Sequence, residues 1–161
     1  MGEPFKLDVK SVQSRPIPLI IIAPSLLVGH YDRLMTKDQS KQILLVDDSS
    51  DQQILLRKLL EANGYTVDCT SNGAEALSLL NSCNTLPEMI LLDLRMPIMD
   101  GISFRDNQVA DPRLREIPVV LMTGDDEIEV IRAKTNSTDI LVKPFNISSL
   151  LETVRRNFKL H

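Results

Sequence analysis

Four aliphatic residues followed by two aspartates, Ile43-Leu44-Leu45-Val46-Asp47-Asp48, form the stretch that decides the fold of this 161-residue chain. A continuous apolar run of this kind is typical of a β-strand that is buried on both faces. Ser49 or Ser50 can cap a helix that continues to about Ala62. Asn63-Gly64 then gives a helix stop. The stretch therefore predicts one strand–helix unit of a parallel sheet.

The same pattern recurs four times further along the chain. The other predicted strands are Tyr65–Cys69, Met89–Leu92, Val119–Met122 and Ile140–Val142. The other predicted helices follow Asn72-Gly73 or cover about Ile102–Val109, Glu127–Lys134 and Ile147–Phe158. The helix after the first strand is expected to bury Ile54, Leu55, Leu59 and Leu60 along one face. Alternation of strands and helices predicts an α/β fold, a five-stranded parallel sheet with helices on both faces.

Charged and hydroxyl side chains stand at the ends of four predicted strands. They are Asp47-Asp48, Asp93, Thr123 and Lys143. The carboxyl ends of parallel strands share one edge of the sheet, where the functional cleft is expected. Three carboxylates brought together there would raise one another's pKa and favour a hard divalent cation, Mg²⁺ or Mn²⁺. With a hydroxyl and an ammonium beside them, these groups are suited to phosphoryl transfer onto an aspartate.

The region from about Lys41 to Phe158 resembles the receiver domain of two-component response regulators. The resemblance rests on four motifs in order, Ile43-Leu-Leu-Val-Asp-Asp48, Leu91-Leu-Asp-Leu-Arg-Met-Pro-Ile-Met-Asp-Gly101, Val119-Val-Leu-Met-Thr-Gly124 and Leu141-Val-Lys-Pro-Phe145. Each motif alone is common, but all four at strand ends are specific. The resemblance implies the flavodoxin-like, doubly wound sheet of that family, with the receiver domain at residues 41–159.

The resemblance also implies a role for each residue of the predicted cleft. Asp93 would be the phosphoacceptor. The metal ligands would be Asp47, mainly through water, Asp48, Asp93 and the backbone carbonyl of Arg95. Thr123 would be the switch hydroxyl, and Lys143 would pair with a phosphoryl oxygen. A cis peptide bond before Pro144 would aim that lysine. The side chains of Arg95 and Asp125 would influence the rate of phosphate loss.

One departure from the family pattern keeps a second function open. The family often has an aromatic residue three positions before the lysine, and this chain has Ile140. The alternative is therefore a non-switching interaction module that keeps the fold without the phosphorylation cycle. A third possibility, an aspartate-nucleophile phosphatase, is disfavoured because such enzymes use a second acid where this chain has Arg95.

Composition and charge exclude several classes of protein. The chain is 43% hydrophobic and 25% charged, which excludes a fully disordered protein. A net charge of −4 leaves no basic surface for nucleic acid. Two cysteines cannot form a disulfide scaffold. We find no apolar run of 18 residues, so no membrane span is expected.

Residues 1–40 differ from the rest and are expected to be an N-terminal extension. One explanation is a translation start placed too early, with the true start at Met35. The alternatives are a disordered or loosely packed arm and a segment that associates with membranes. Three prolines, Pro16, Pro18 and Pro24, argue against a continuous amphipathic helix.

The expected partners follow from the resemblance. The phosphodonor would be a histidine kinase or a histidine phosphotransfer protein, and we expect the chain to be a stand-alone receiver in the cytoplasm. Apart from its own phosphorylation and slow autodephosphorylation, it would not be an enzyme. Output would pass to a protein target through the face made by Glu127–Lys134 and Ile147–Phe158.

Overall fold

The computed structural model of the chain describes residues 41–124, 128, 131 and 139–159. The predicted extension at residues 1–40 and Asp125 lie outside the described residues. The predicted helix at Glu127–Lys134 also lies outside them, except for Ile128 and Ile131, which are helical. Among the described residues, no helix is both long and apolar enough to cross a membrane.

Five parallel strands form a single sheet in the described part of the chain. The strands are β1 (Lys41–Val46), β2 (Tyr65–Thr70), β3 (Met89–Asp93), β4 (Val119–Thr123) and β5 (Asp139–Val142). The helices with defined bounds are α1 (Ser50–Glu61), α2 (Gly73–Ser82), α3 (Gly101–Ala110) and α4 (Ile147–Lys159). The order in the sheet is β2-β1-β3-β4-β5, and all neighbours are parallel. This confirms the predicted α/β fold.

The two faces of the sheet carry separate parts of the hydrophobic core. Leu44 and Val46 of β1 belong to a cluster that includes buried residues of α2 and α3. Ile43 and Leu45 belong to a second cluster that includes buried residues of α1 and α4. Successive side chains of a strand point to opposite faces. Because helices cover both faces, the buried part of β1 must be apolar at every position, and Ile43–Val46 meets this requirement.

The buried face of α1 differs from the predicted one. Leu60 is buried and Leu59 is partly buried, as expected, but Ile54 and Leu55 are 53% and 66% exposed and Leu56 is buried instead. For Ile54 and Leu55 the prediction was wrong, because polar residues occupy part of the inner face. Gln53 and Arg57, which share a helix face with Leu56 and Leu60, turn towards the sheet edge.

Backbone carbonyls of the sheet explain why these polar residues face inward. The Gln53 side-chain amide donates to the carbonyls of Asp47 (2.6 Å) and Thr70 (3.0 Å). The Arg57 guanidinium donates to the Val67 carbonyl at 2.8 and 3.1 Å. These hydrogen bonds tie α1 to the end of β1 and to the middle and end of β2, and they turn Ile54 and Leu55 out to solvent.

Side-chain caps fix where the helices begin. Ser49, Asn72 and Asp100 cap α1, α2 and α3, and each accepts a hydrogen bond from a backbone N–H in the first turn. After α1 the chain turns at Gly64, whose φ of +85° favours glycine. The caps place the start of α1 directly after Asp47 and Asp48, beside the predicted cleft.

Candidate functional site

The topology brings the predicted site residues to one edge of the sheet. Asp47 directly follows β1, and Asp93 and Thr123 end β3 and β4. Lys143 directly follows β5, and its backbone N–H donates to the Thr123 carbonyl at 2.6 Å. Because these strands are parallel, their carboxyl ends share one edge of the sheet. Asp47 and Lys143 therefore meet there, although nearly a hundred positions separate them in the chain.

Three carboxylates form a cluster at this edge. One oxygen each from Asp47, Asp48 and Asp93 lies within 4.8 Å of the others. Asp47 and Asp93 are buried, whereas Asp48 is exposed. An all-oxygen donor set at this spacing, open to solvent on the Asp48 side, fits a hard divalent cation such as Mg²⁺.

Burial dominates the electrostatics of Asp47. Desolvation raises the pKa of its carboxyl, and the negative charge of Asp93 adds to the rise. The Ser49 N–H, which donates to Asp47 Oδ1 at 2.9 Å, and the Lys143 ammonium partly oppose this effect. A buried carboxylate whose charge is disfavoured gains from a cation placed beside it.

The ammonium of Lys143 lies among three acceptors. Its Nζ is 3.0 Å from Asp93 Oδ2, 3.3 Å from Asp47 Oδ2 and 3.0 Å from Gln52 Oε1. The Lys143–Pro144 peptide bond is cis. An ammonium has three N–H donors, so these three contacts use its full capacity. The lysine therefore holds a positive charge directly against the carboxylate predicted to accept phosphate.

A cavity opens beside Asp93. It has a volume of about 350 Å³ and is lined by Asp93, Arg95, Gly124 and Lys143. The Arg95 backbone N–H lies 3.4 Å from Asp93 Oδ1, and Thr123 is buried on the neighbouring strand end. A phosphoryl group attached to Asp93 would find space on this side.

Glycine at position 101 lets α3 approach the acceptor strand closely. A Cβ at Gly101 would lie 2.5 Å from the Asp93 carbonyl oxygen and 2.9 Å from Leu94 Cα. The Gly101 N–H donates to the Leu94 carbonyl at 3.0 Å. The backbone behind Asp93 is thereby held by a contact that leaves no room for a larger residue.

The sequence analysis missed Gln52 and Gln53. Gln52 contacts Lys143, and Gln53 ties α1 to the strand ends. Only their position in the first turn of α1, and not their residue type, could have indicated that they lie at the cleft. A helix capped by Ser49 keeps its first turn beside Asp47 and Asp48, so polar side chains there lie within reach of the cleft. A glutamine alone carries no motif that would have indicated this.

Comparison with known proteins identifies the family. Residues 43–155 match the family model for the response regulator receiver domain. The polar-differentiation response regulator DivK of Brucella anthropi is 31% identical over 121 residues, covering 71% of this chain and 94% of DivK. The sensor histidine kinase CheAY of Helicobacter pylori is 30% identical over 122 residues, covering 73% of this chain and 15% of CheAY.

A solved structure agrees with the sequence comparison. The receiver domain of the sensor histidine kinase PA1611 from Pseudomonas aeruginosa, with a magnesium ion in its active-site cleft, superimposes with a TM-score of 0.66. The two are 26% identical over 73% of this chain and 96% of that domain. This chain spans less than half the length of several curated relatives that it matches.

These comparisons agree with the geometry of the site. Receiver domains act as phosphoacceptor switches of two-component systems rather than as ordinary enzymes. They bind Mg²⁺ in an acidic pocket and interact with histidine kinases and downstream targets. The family model covers more than half of the chain. The matched residues contain the whole of β2, β3, β4 and β5 and all of β1 except its first two residues, Lys41 and Gln42. The chain therefore belongs to the response regulator receiver domain family.

Proposed function

We propose that Asp93 of this chain takes a phosphoryl group, with Mg²⁺, from a histidine kinase or a histidine phosphotransfer protein. The observation that carries the proposal is the placement of Asp93. Its Oδ2 lies 3.0 Å from the Lys143 ammonium, and its carboxylate belongs to the three-aspartate cluster. Phosphoryl transfer needs positioning and neutralisation of oxygen charge more than covalent chemistry from the protein, and these groups supply both.

The proposed transfer is a substitution at phosphorus. A carboxylate oxygen of Asp93 attacks the phosphorus atom of a phosphohistidine donor, forming an O–P bond as the N–P bond breaks. The electron pair of the broken bond stays on the imidazole nitrogen of the donor, which then takes a proton. Lys143 Nζ and the Thr123 hydroxyl would donate hydrogen bonds to the phosphoryl oxygens.

Four groups of this chain would hold the metal. They are the carboxylates of Asp47, Asp48 and Asp93 and the backbone carbonyl of Arg95. Bound there, Mg²⁺ would supply positive charge to the phosphoryl oxygens. The side chains of Arg95, which lines the cavity, and of Asp125 would tune slow autodephosphorylation.

The output is proposed to be altered binding to a partner protein. Phosphorylation adds charge and acceptor oxygens at Asp93, which can shift the population between two conformers. The partner would contact the face that includes Glu127–Lys134 and Ile147–Phe158. The proposal further takes residues 41–159 as the receiver domain, residues 1–40 as an extension and the cytoplasm as the location.

A second candidate function is a non-switching interaction module. Ile140 favours it, because an aliphatic side chain packed against the core cluster of α2 and α3 replaces the aromatic residue common in the family. The arrangement around Asp93 favours the switch. Both candidates predict the same fold, so they differ only in chemistry.

Intact-mass analysis after incubation with acetyl phosphate separates them. We expect one phosphoryl adduct with Mg²⁺, and none when EDTA replaces Mg²⁺ or when Asp93→Asn replaces the wild type. A wild-type protein that is folded, binds Mg²⁺ and forms no adduct, even with rapid acid quenching, would support the interaction module instead.

A further inference from the structure

Gln52 contacts the lysine of the site but has no part in the motifs that define it. Its side-chain carbonyl Oε1 accepts a hydrogen bond from Lys143 Nζ at 3.0 Å. The other two acceptors of that ammonium, Asp47 and Asp93, are carboxylates. Gln52 therefore differs from the other two partners of Lys143 in two ways. Its side chain carries no charge, and it lies on a helix instead of at a strand end.

The position of Gln52 is fixed from two directions. Its backbone N–H donates to the capping Ser49 Oγ at 3.3 Å. The next residue, Gln53, binds the carbonyls of Asp47 and Thr70, which anchors the first turn of α1 to β1 and β2. The side-chain carbonyl of Gln52 therefore reaches Lys143 from a helical turn that is hydrogen-bonded to the strand ends, and Gln52 itself is half-buried.

We propose that Gln52 is a positioning residue for phosphorylation and acts by orienting Lys143. This inference rests on the proposed function of Asp93. Lysine is a point charge on a flexible four-carbon stem, so its direction has to be set by its acceptors. When Asp93 becomes phosphorylated, its carboxylate charge is lost and a phosphoryl oxygen takes over one N–H of the ammonium. Asp47 and Gln52 then keep the other two.

The absence of charge on Gln52 matters for this role. A third carboxylate at this position would attract the ammonium in competition with the phosphoryl oxygen and would repel an anionic phosphodonor. A neutral carbonyl supplies direction without that competition. Gln52 thus prepares the lysine for the transition state and leaves the charge balance of the three-aspartate cluster unchanged.

The test compares wild type with Gln52→Met, which keeps the length and flexibility of the side chain and removes the carbonyl. We expect the maximal rate of phosphorylation by acetyl phosphate at saturating Mg²⁺ to fall by about three- to tenfold. The acetyl phosphate concentration at half-maximal rate, the Mg²⁺ affinity and the melting temperature should stay close to wild type. Ser50→Ala, an exposed position in the same helical turn, is the matched control and should keep the wild-type rate.

A double-mutant cycle with Lys143→Met shows whether Gln52 acts through the lysine. In the Lys143→Met background, Gln52→Met should change the rate by less than about 1.5-fold, because the ammonium that it orients is missing. An equal loss in both backgrounds would overturn the inference, as would a Gln52→Met protein that phosphorylates at the wild-type rate.

A nuclear magnetic resonance readout is independent of rate. The side-chain ammonium signal of Lys143 depends on hydrogen bonding that protects its protons from exchange with water. Gln52→Met should shift or broaden that signal, and an unchanged signal would contradict the inference. A wild-type protein that takes no phosphate would instead contradict the proposed function, so the two failures are distinguishable.

Discussion

The Asp47 carboxylate is fully buried beside Asp93 and Lys143, and burial raises its pKa above the ordinary value of 3.8. When an acid has a higher pKa in the folded than in the unfolded state, it stabilises the folded protein at pH values below its pKa in the unfolded chain. That contribution is lost as the pH rises through the folded pKa. Without metal, ionised Asp47 therefore lowers the free energy of unfolding at neutral pH.

Asp47→Asn should accordingly stabilise the metal-free protein. We expect its free energy of unfolding at pH 7 to exceed that of wild type by about 1 kcal/mol, with a smaller difference near pH 4. Urea denaturation in EDTA at the two pH values measures this. Asp48→Asn is the matched control, because Asp48 is exposed and its replacement should change stability little. A less stable Asp47→Asn protein at pH 7 would contradict the reasoning.

Ile98 has a strained backbone in the loop that follows Asp93. Its φ is +68° and its side chain is 85% exposed. A β-branched residue in the left-handed region is disfavoured by contact between Cβ and the backbone, and exposure leaves little packing to offset the strain. The position is therefore occupied at a cost in stability.

Ile98→Asn should relieve that strain. Asparagine tolerates the left-handed region, so the free energy of unfolding should rise by about 0.5–1 kcal/mol in urea denaturation. Ile98→Val keeps the β-branch and should leave stability unchanged. The explanation fails if both variants have the same stability.

At the scale of elements, α1 shows which part of the fold the sequence did and did not predict. The existence of the helix, a serine cap at Ser49 or Ser50 and an end near Ala62 followed from residue types, and the structure places the cap at Ser49. The buried face of α1 did not follow from residue types, because Ile54, Leu55 and Leu56 are all aliphatic and any of them could pack against the sheet. Hydrogen bonds from Gln53 and Arg57 to backbone carbonyls of the sheet determine which face of α1 is buried. The sequence does not show these bonds, because they depend on the packing of α1 against the sheet.

A matched pair of substitutions tests the face of α1. Leu56→Ala removes a buried side chain and should lower the free energy of unfolding by about 2–5 kcal/mol. Leu55→Ala, one residue earlier and 66% exposed, should lower it by less than about 1 kcal/mol. Urea denaturation of both proteins gives the comparison. Similar losses at the two positions would show that the helix face is wrongly assigned.

The residues of the candidate site that stand at strand ends could be predicted from the sequence, whereas the helical residue that contacts them could not. Asp47, Asp93, Thr123 and Lys143 each stand at a strand end, and strand ends converge in any parallel sheet. Gln52 lies on a helix, so its contact with Lys143 depends on how that helix is rotated and anchored. The sequence indicates which strand ends meet, but it does not indicate which helical side chain reaches them.

At the scale of the whole molecule, the sheet order explains how one site depends on the entire fold. The strand order β2-β1-β3-β4-β5 places the end of β1 next to that of β3, and Lys143 arrives from the edge strand β5. The site is complete only when these strands are paired. Binding of a cation to the cluster should therefore stabilise the folded domain as a unit.

Mg²⁺ should raise the melting temperature of the wild-type protein. At a concentration ten times its dissociation constant, binding to the folded state alone contributes about 1.4 kcal/mol, which corresponds to ~4 °C for a domain of this size. Calorimetry with and without Mg²⁺ measures the shift, with NaCl of equal ionic strength as the control. Asp48→Asn should reduce the shift. An equal rise with NaCl would indicate general screening instead of a bound cation.

The central claim is that Asp93, and not a neighbouring carboxylate, carries the phosphoryl group. The most direct measurement is borohydride reduction of the protein after reaction with acetyl phosphate and Mg²⁺, followed by tandem mass spectrometry of its peptides. Borohydride converts an aspartyl phosphate to homoserine and leaves free aspartate unchanged. We predict homoserine at position 93, with aspartate retained at positions 47 and 48. Homoserine at position 47 or 48, or at no position in a phosphorylated sample, would contradict the account.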